Sequence, residues 1–179
     1  MRAYRLLTNN EEFPGTKVPK GLKPKKPRAA KPKVPKPPKV KKPKLKSVGV
    51  LTKEAAKLLQ RLVRVKAADE TGLVSCVTCG KRDHWKNMQG GHFISRVYLS
   101  TLLVEENLAS QCVSCNVFKA KDGLVLANYY DYMVDMYGKE FVDELRKMAL
   151  QPKVFKRDEI TALRNEFETR LIELEKRFA

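Results

Sequence analysis

Cys76-Val77-Thr78-Cys79-Gly80 and Gln111-Cys112-Val113-Ser114-Cys115-Asn116 are the two stretches on which the fold turns. Each holds a Cys-x-x-Cys pair, and 32 residues lie between the pairs. One such pair presents two sulfurs to one ion, and two pairs complete the S4 set that suits tetrahedral Zn2+ at about 2.3 Å. Gly80, directly after the second sulfur, tolerates the positive φ of a tight knuckle. Iron also accepts four thiolates, but pairs this far apart look more like a zinc ribbon than a cluster-binding run. Disulfides are the other alternative, disfavoured in a reducing compartment. A closed S4 set leaves no open coordination position, so Cys76, Cys79, Cys112 and Cys115 are expected to hold a structural zinc. Its apparent binding energy, about 10 to 16 kcal/mol, replaces the core that a β-poor insertion cannot supply.

Upstream of the first pair, Ala55, Leu58, Leu59, Leu62 and Val63 recur at three-to-four spacing, which predicts a helix from Thr52 with Thr52 as N-cap. Leu73 to Cys79 reads as a short strand entering the knuckle, and Met88 to Phe93 as a second β segment followed by a loop through Leu103. Asn116 to Lys121 is expected to form a short helix closed by a turn at Asp122-Gly123. Tyr129 to Leu145 then reads as helix interrupted near Gly138. After Pro152, Ile160, Leu163, Phe167, Leu171, Leu174 and Phe178 form a heptad-like stripe, expected to pack within the domain; exposed, it would make a dimer.

The charge is unevenly distributed. The formal net charge is +17, yet Thr16 to Lys46 alone hold thirteen Lys and one Arg with no acid, so 17 − 14 leaves +3 for the remainder. Eight of the ten prolines lie in the same segment. Such a composition buries no core and predicts a disordered, extended arm reaching roughly 95 Å at about 3.1 Å per residue. A polyanionic partner is implied, with a solubilising linker as the bland alternative. No run of eighteen apolar residues and no apolar leader segment are present, so no membrane partner is expected and a cytoplasmic location is.

Between the knuckles stand Gly90-Gly91-His92-Phe93, Arg96 and Asn107-Leu108, and the second knuckle runs into Asn116 and Lys119. This order resembles the HNH, or ββα-metal, nuclease pattern. A closer resemblance is to the lambdoid phage NinG (Rap) family of recombination endonucleases. It is carried by the two knuckles, the Gly91-His92-Phe93-Ile94-Ser95-Arg96 run, Asn107-Leu108, Gln111 to Asn116, and Tyr137-Gly138 through Leu145. The resemblance implies a divalent-metal-dependent, structure-specific DNA endonuclease acting on branched intermediates such as Holliday junctions. It further implies that His92 activates water, Asn107 braces the loop and Asn116 binds the catalytic ion.

Residue chemistry agrees with these roles. A neutral imidazole takes a proton from water near neutral pH. An amide oxygen suits a hard cation such as Mg2+ or Mn2+. Arg96 and Lys119 are candidates to hold the scissile phosphate, one by a planar fork and one as a point charge. Where many HNH enzymes place an Asp or His before the catalytic His, this chain has Gly91; Gln89 and Asp122 are the remaining candidates for that second ligand. His84, in a Lys/Arg-rich loop, reads as a surface residue, while Asn107 in an Asx turn and Asn116 as a helix cap are the ordinary uses of asparagine.

The expectation is an α+β chain with three parts. Residues 1–47 form the arm, 48–151 a zinc-stapled ββα-metal (HNH-like) core with its preceding helix, and 152–179 a C-terminal helix. The leading function is a DNA endonuclease, with a non-catalytic zinc-knuckle DNA-binding protein as the alternative. Paired cuts at a junction call for a homodimer.

Overall fold

Leu51, Ala55, Leu59 and Leu62 line one buried face of helix α1 (Val48–Ala67), as their spacing predicts. The computed structural model describes residues 45–178, so the expected arm lies outside the described residues except for Leu45, Lys46 and Ser47. The helix begins earlier than expected. Ser47, in extended backbone at φ −67° and ψ 157°, is the N-cap, and its hydroxyl accepts from Val50 N–H. Thr52 lies inside the helix instead, where its hydroxyl donates to the Val48 carbonyl at 2.9 Å.

Helix α4 (Arg157–Glu175) is the main packing partner of α1. Its stripe is satisfied within the chain: Ile160, Phe167 and Leu171 are buried in the cluster that contains Leu51, Leu59 and Leu62. Each fully buried side chain of this size contributes roughly 1.5 to 3 kcal/mol, and this seam sets the frame of the domain. Glu54–Arg164 at 3.3 Å and Arg61–Glu175 at 2.6 Å flank it. These half-exposed pairs contribute register more than energy.

Two small antiparallel sheets follow α1. Strand β1 (Leu73–Ser75) pairs with β2 (Arg82–His84), and β3 (Gln89–His92) pairs with β4 (Leu108–Gln111). In the second sheet His92 faces Leu108 and Gln89 faces Gln111. The expected strand at Leu73 to Cys79 ends at Ser75, because the Cys76 knuckle bends the chain.

Downstream, Ser114–Phe118 form a single π-helical turn rather than a helix running to Lys121. The Asp122-Gly123 turn opens a helix instead of closing one. Asp122 Oδ1 accepts from Leu124 N–H at 3.0 Å and Val125 N–H at 3.2 Å, capping α2 (Gly123–Tyr137). Gly138, at φ +83°, separates α2 from α3 (Lys139–Ala149). Tyr129 and Met133 of α2 join Val142 and Leu145 of α3 and Ala109 of β4 in a second buried cluster. No helix among the described residues is long and apolar enough to cross a membrane.

Candidate metal centre and the hairpin beside it

The four cysteines converge. Their sulfurs all lie within 4.8 Å of one another, and Cys79 Sγ stands 3.8 Å from Cys112 Sγ. The edge of a ZnS4 tetrahedron with 2.3 Å bonds is about 3.8 Å, so the set fits Zn2+. It does not fit disulfides, whose sulfurs approach to about 2.05 Å, and all four cysteines are free. The first knuckle closes through Gly80 N–H to the Cys76 carbonyl at 2.9 Å, with Gly80 at φ +73°. The second closes through Asn116 N–H to the Cys112 carbonyl at 3.0 Å.

A hydrogen-bond chain supports one ligand from outside the metal sphere. Gln111 Nε2 donates to Thr78 Oγ1 at 3.3 Å, which leaves the Thr78 hydroxyl proton for Cys76 Sγ at 3.2 Å. Burial alone would raise the Cys76 thiol; the hydrogen bonds from Thr78 and nearby backbone amides outweigh it and bring it down to about 6. Burial pushes Cys115 up to about 12, helped by the neighbouring sulfurs. Four thiolates this close need a cation to ionise together, which Zn2+ supplies.

The knuckles are tied to the second hairpin. Val77 N–H donates to the Ser110 carbonyl of β4 at 3.0 Å, and Asn128 Nδ2 of α2 donates to the Thr78 carbonyl at 2.8 Å. In β3 the two glycines permit close approach on both faces. A Cβ at Gly90 would lie 2.7 Å from the Gln60 backbone of α1, and one at Gly91 would overlap the Gln111 side chain and stand 3.0 Å from Asn116 Oδ1. Tyr129 Oη donates to the Gly91 carbonyl at 2.8 Å.

His92 follows Gly91, and strand alternation puts its side chain on the α1 side with Gly90. Its Nε2 lies 3.2 Å from the Leu102 carbonyl oxygen. A carbonyl only accepts, so this bond places the proton on Nε2 and leaves the lone pair on Nδ1. Burial, with the Arg96 charge nearby, lowers the imidazole pKa to about 4 against the pull of the Leu102 bond, so the ring is neutral at pH 7.

Asn107 is completely buried. Its Oδ1 accepts from Ile94 N–H at 2.7 Å, while Nδ2 donates to the carbonyls of Ile94 at 3.1 Å and Thr101 at 2.9 Å. That amide clamps both ends of the loop carrying Arg96 and Leu102. It is a positioning residue by this geometry.

Asn116 sits on the other face of the hairpin, where Nδ2 donates to Gln89 Oε1 at 2.5 Å. Gln89, Gln111 and Asn116 thus gather around Gly91 as neutral amides. Asp122, a sequence candidate for a metal ligand, is occupied as the α2 cap. Among the described residues the four cysteines are the one group of three or more His, Cys, Asp or Glu placed to share an ion. A hard dication such as Mg2+ is held through carboxylates and phosphates, so the protein donors around Asn116 do not by themselves fit it. Arg96 is exposed on the His92 side, and Lys119 is exposed at the end of the π turn, on the side of the second knuckle. His84 is not a plain surface residue: it is half-buried against Gly72, and its Nδ1 accepts from Lys86 N–H at 3.2 Å.

Sequence reasoning missed the linking roles of Thr78, Gln111, Tyr129 and Asn128. The one available signal was polar residues flanking a Gly-Gly strand.

In comparison with known families, the model described as Bacteriophage Lambda NinG protein matches residues 16–177. No curated protein and no solved structure matches the chain.

Proposed function

The chain belongs to the bacteriophage lambda NinG family, and from that membership we propose that it is a structure-specific DNA endonuclease of phage recombination, acting on branched intermediates such as Holliday junctions. The observation that carries the reading is the His92 imidazole, neutral and fixed by the Leu102 carbonyl with its Nδ1 lone pair free. In the proposed reaction Nδ1 takes a proton from a water whose oxygen bonds to phosphorus as the bond to the leaving oxygen breaks. Arg96 binds the phosphate beside His92, and Lys119 takes a neighbouring one. Asn107 holds the loop that carries Arg96 and, through the Leu102 carbonyl, steadies His92. This reading takes the strand pair β3–β4 and the helical segment after Cys115 as its ββα element.

Zn2+ on Cys76, Cys79, Cys112 and Cys115 is structural here, stiffening β4 and the knuckles. The Mg2+ or Mn2+ requirement rests on the family resemblance. The amides around Asn116 do not by themselves fit such an ion. Those same amides favour a second reading, a non-catalytic zinc-dependent DNA-binding protein. Paired cuts would need two protomers.

The test is incubation of zinc-loaded wild type and His92→Ala with labelled Holliday-junction, flap and linear DNA, with Mg2+ or Mn2+ and without. The endonuclease reading expects ion-dependent cutting of branched DNA by wild type, and binding without cutting by folded His92→Ala. Binding without cutting by wild type transfers the conclusion to the second reading.

A further inference from the structure

A cavity of about 790 Å³ lies between α1 and the loop that Asn107 clamps, lined by Leu102, whose carbonyl holds His92. Its apolar lining is buried at Ala56 of α1 and Leu102 of the loop and half-buried at Phe155 ahead of α4, while Leu99 and Val154 are exposed. Lys53 and Lys57, one turn apart on α1, stand on one side and Arg96 on the other, and no acidic residue lines it. Lys153 also lines it, but that charge is matched by Glu159 at 2.5 Å and lies over the Phe155 ring. The cavity falls within the size range that encloses a drug-sized ligand.

We propose that this groove holds one unpaired nucleotide of DNA, the base on the apolar floor and its phosphates on Lys53, Lys57 and Arg96. The inference rests on the DNA-processing reading above and adds the feature of the substrate that is recognised. An apolar floor inside a cationic rim calls for a body with a weakly polar face and an attached anion. A nucleotide has both. A base stacked in a duplex cannot reach the floor, whereas one at a branch point is extruded at low cost. Leu102 joins the groove to the chemistry, since its side chain forms floor while its carbonyl holds His92. Arg96 links them again, lining the groove and acting electrostatically on His92.

The experiment uses the full zinc-loaded chain as His92→Ala, to keep DNA intact, with junctions carrying 2-aminopurine next to the branch or in mid-arm. Binding is expected to change emission about twofold or more next to the branch and little in mid-arm. Lys53→Gln/Lys57→Gln on this background alters two exposed side chains. It is expected to abolish the branch response and lower the salt slope of log K by about 1.4. In parallel, cutting by the chain with His92 intact is measured on the same junctions. If that chain cuts but the branch response is absent or indifferent to the lysines, the groove proposal is overturned and the endonuclease reading stands. If the response depends on the lysines but nothing is cut, the endonuclease reading falls and the nucleotide groove stands. If a poly-glutamate peptide abolishes the response by binding in a Lys53/Lys57-dependent way more tightly than the junction, the occupant is an acidic protein and the proposal is overturned.

Discussion

The Nε2 atom of His92 lies 3.2 Å from the carbonyl oxygen of Leu102, ten residues further along the chain. That single bond fixes the tautomer and joins the end of β3 to the loop that Asn107 clamps. It also sets a pH response. Burial lowers His92 to about 4 from its ordinary 6.5, so the folded chain prefers the neutral ring. In the unfolded chain the ring protonates first as pH falls, so its contribution to stability is complete above about pH 6.5 and lost progressively toward pH 4. Urea denaturation between pH 7 and pH 4 should show wild type losing more stability than His92→Gln over this window. In the endonuclease reading the acid limb of kcat/KM lies near pH 4 to 5, and a limb at 6.5 would contradict the buried neutral imidazole.

Zinc removal should unfold the domain around the knuckles. The chain is expected to carry one zinc ion, and Cys112→Ser should lose it along with cooperative melting, since about 10 to 16 kcal/mol of apparent binding energy is at stake. Metal content by mass spectrometry of the intact chain, paired with thermal melts by circular dichroism, tests both. A Cys112→Ser chain that melts like wild type would show that the thiolates are not structural.

Asn107→Ala strips three backbone groups of their partner: Ile94 N–H, the Ile94 carbonyl and the Thr101 carbonyl. Leaving a buried polar group unsatisfied costs about 1 to 3 kcal/mol, so a loss of about 3 kcal/mol or more in urea denaturation is expected. Histidine resonances should also report a change in the His92 tautomer. A folded variant with an unchanged His92 signal would mean that the loop holds its shape without the clamp.

Gly91→Asp would install the residue that many HNH enzymes carry, yet it is expected to destabilise rather than to create a metal ligand. Even Gly91→Ala places a Cβ on the Gln111 side chain, with overpacking worth about 1 to 3 kcal/mol. Gln111→Ala should relieve part of that cost, giving a favourable coupling of about 1 kcal/mol in a double-mutant cycle. Strict additivity of the two changes would refute the contact.

What the sequence made legible follows from how far each signal reaches along the chain. The knuckles were readable because four thiolates at Cys-x-x-Cys spacing have one dominant chemistry. The α1 and α4 stripes were readable because helical periodicity repeats within each segment. Strand β4 was not, since Leu-Ala-Ser-Gln has no β-branched residue and is buried at all four positions. The start of α1 was misplaced because Thr52 and Ser47 are both good caps, and only the backbone at Ser47 is extended. Asp122 followed the same rule in reverse, a turn former that is also a cap. The close approach at Gly90 and Gly91 was not legible, because the neighbours Gln60, Gln111 and Asn116 come from three other parts of the chain.

The pairing of α1 with α4 governs when the domain can close. Arg177 Nη2 donates to the Val65 carbonyl at 2.7 Å across 112 residues, and Arg157 Nη1 to the Lys46 carbonyl at 2.6 Å across 111. Contacts this distant in sequence demand large loop closures and slow the search for the native state. On the ribosome α1 emerges before α4, so the cover that Val74, Trp85, Met88 and Leu108 give its apolar face stays incomplete until Ile160, Phe167 and Leu171 follow. The nascent chain therefore carries a partly covered apolar helix through most of its synthesis, so a chain truncated before Arg157 is expected to be held by chaperones or to aggregate rather than to wait as a folded intermediate.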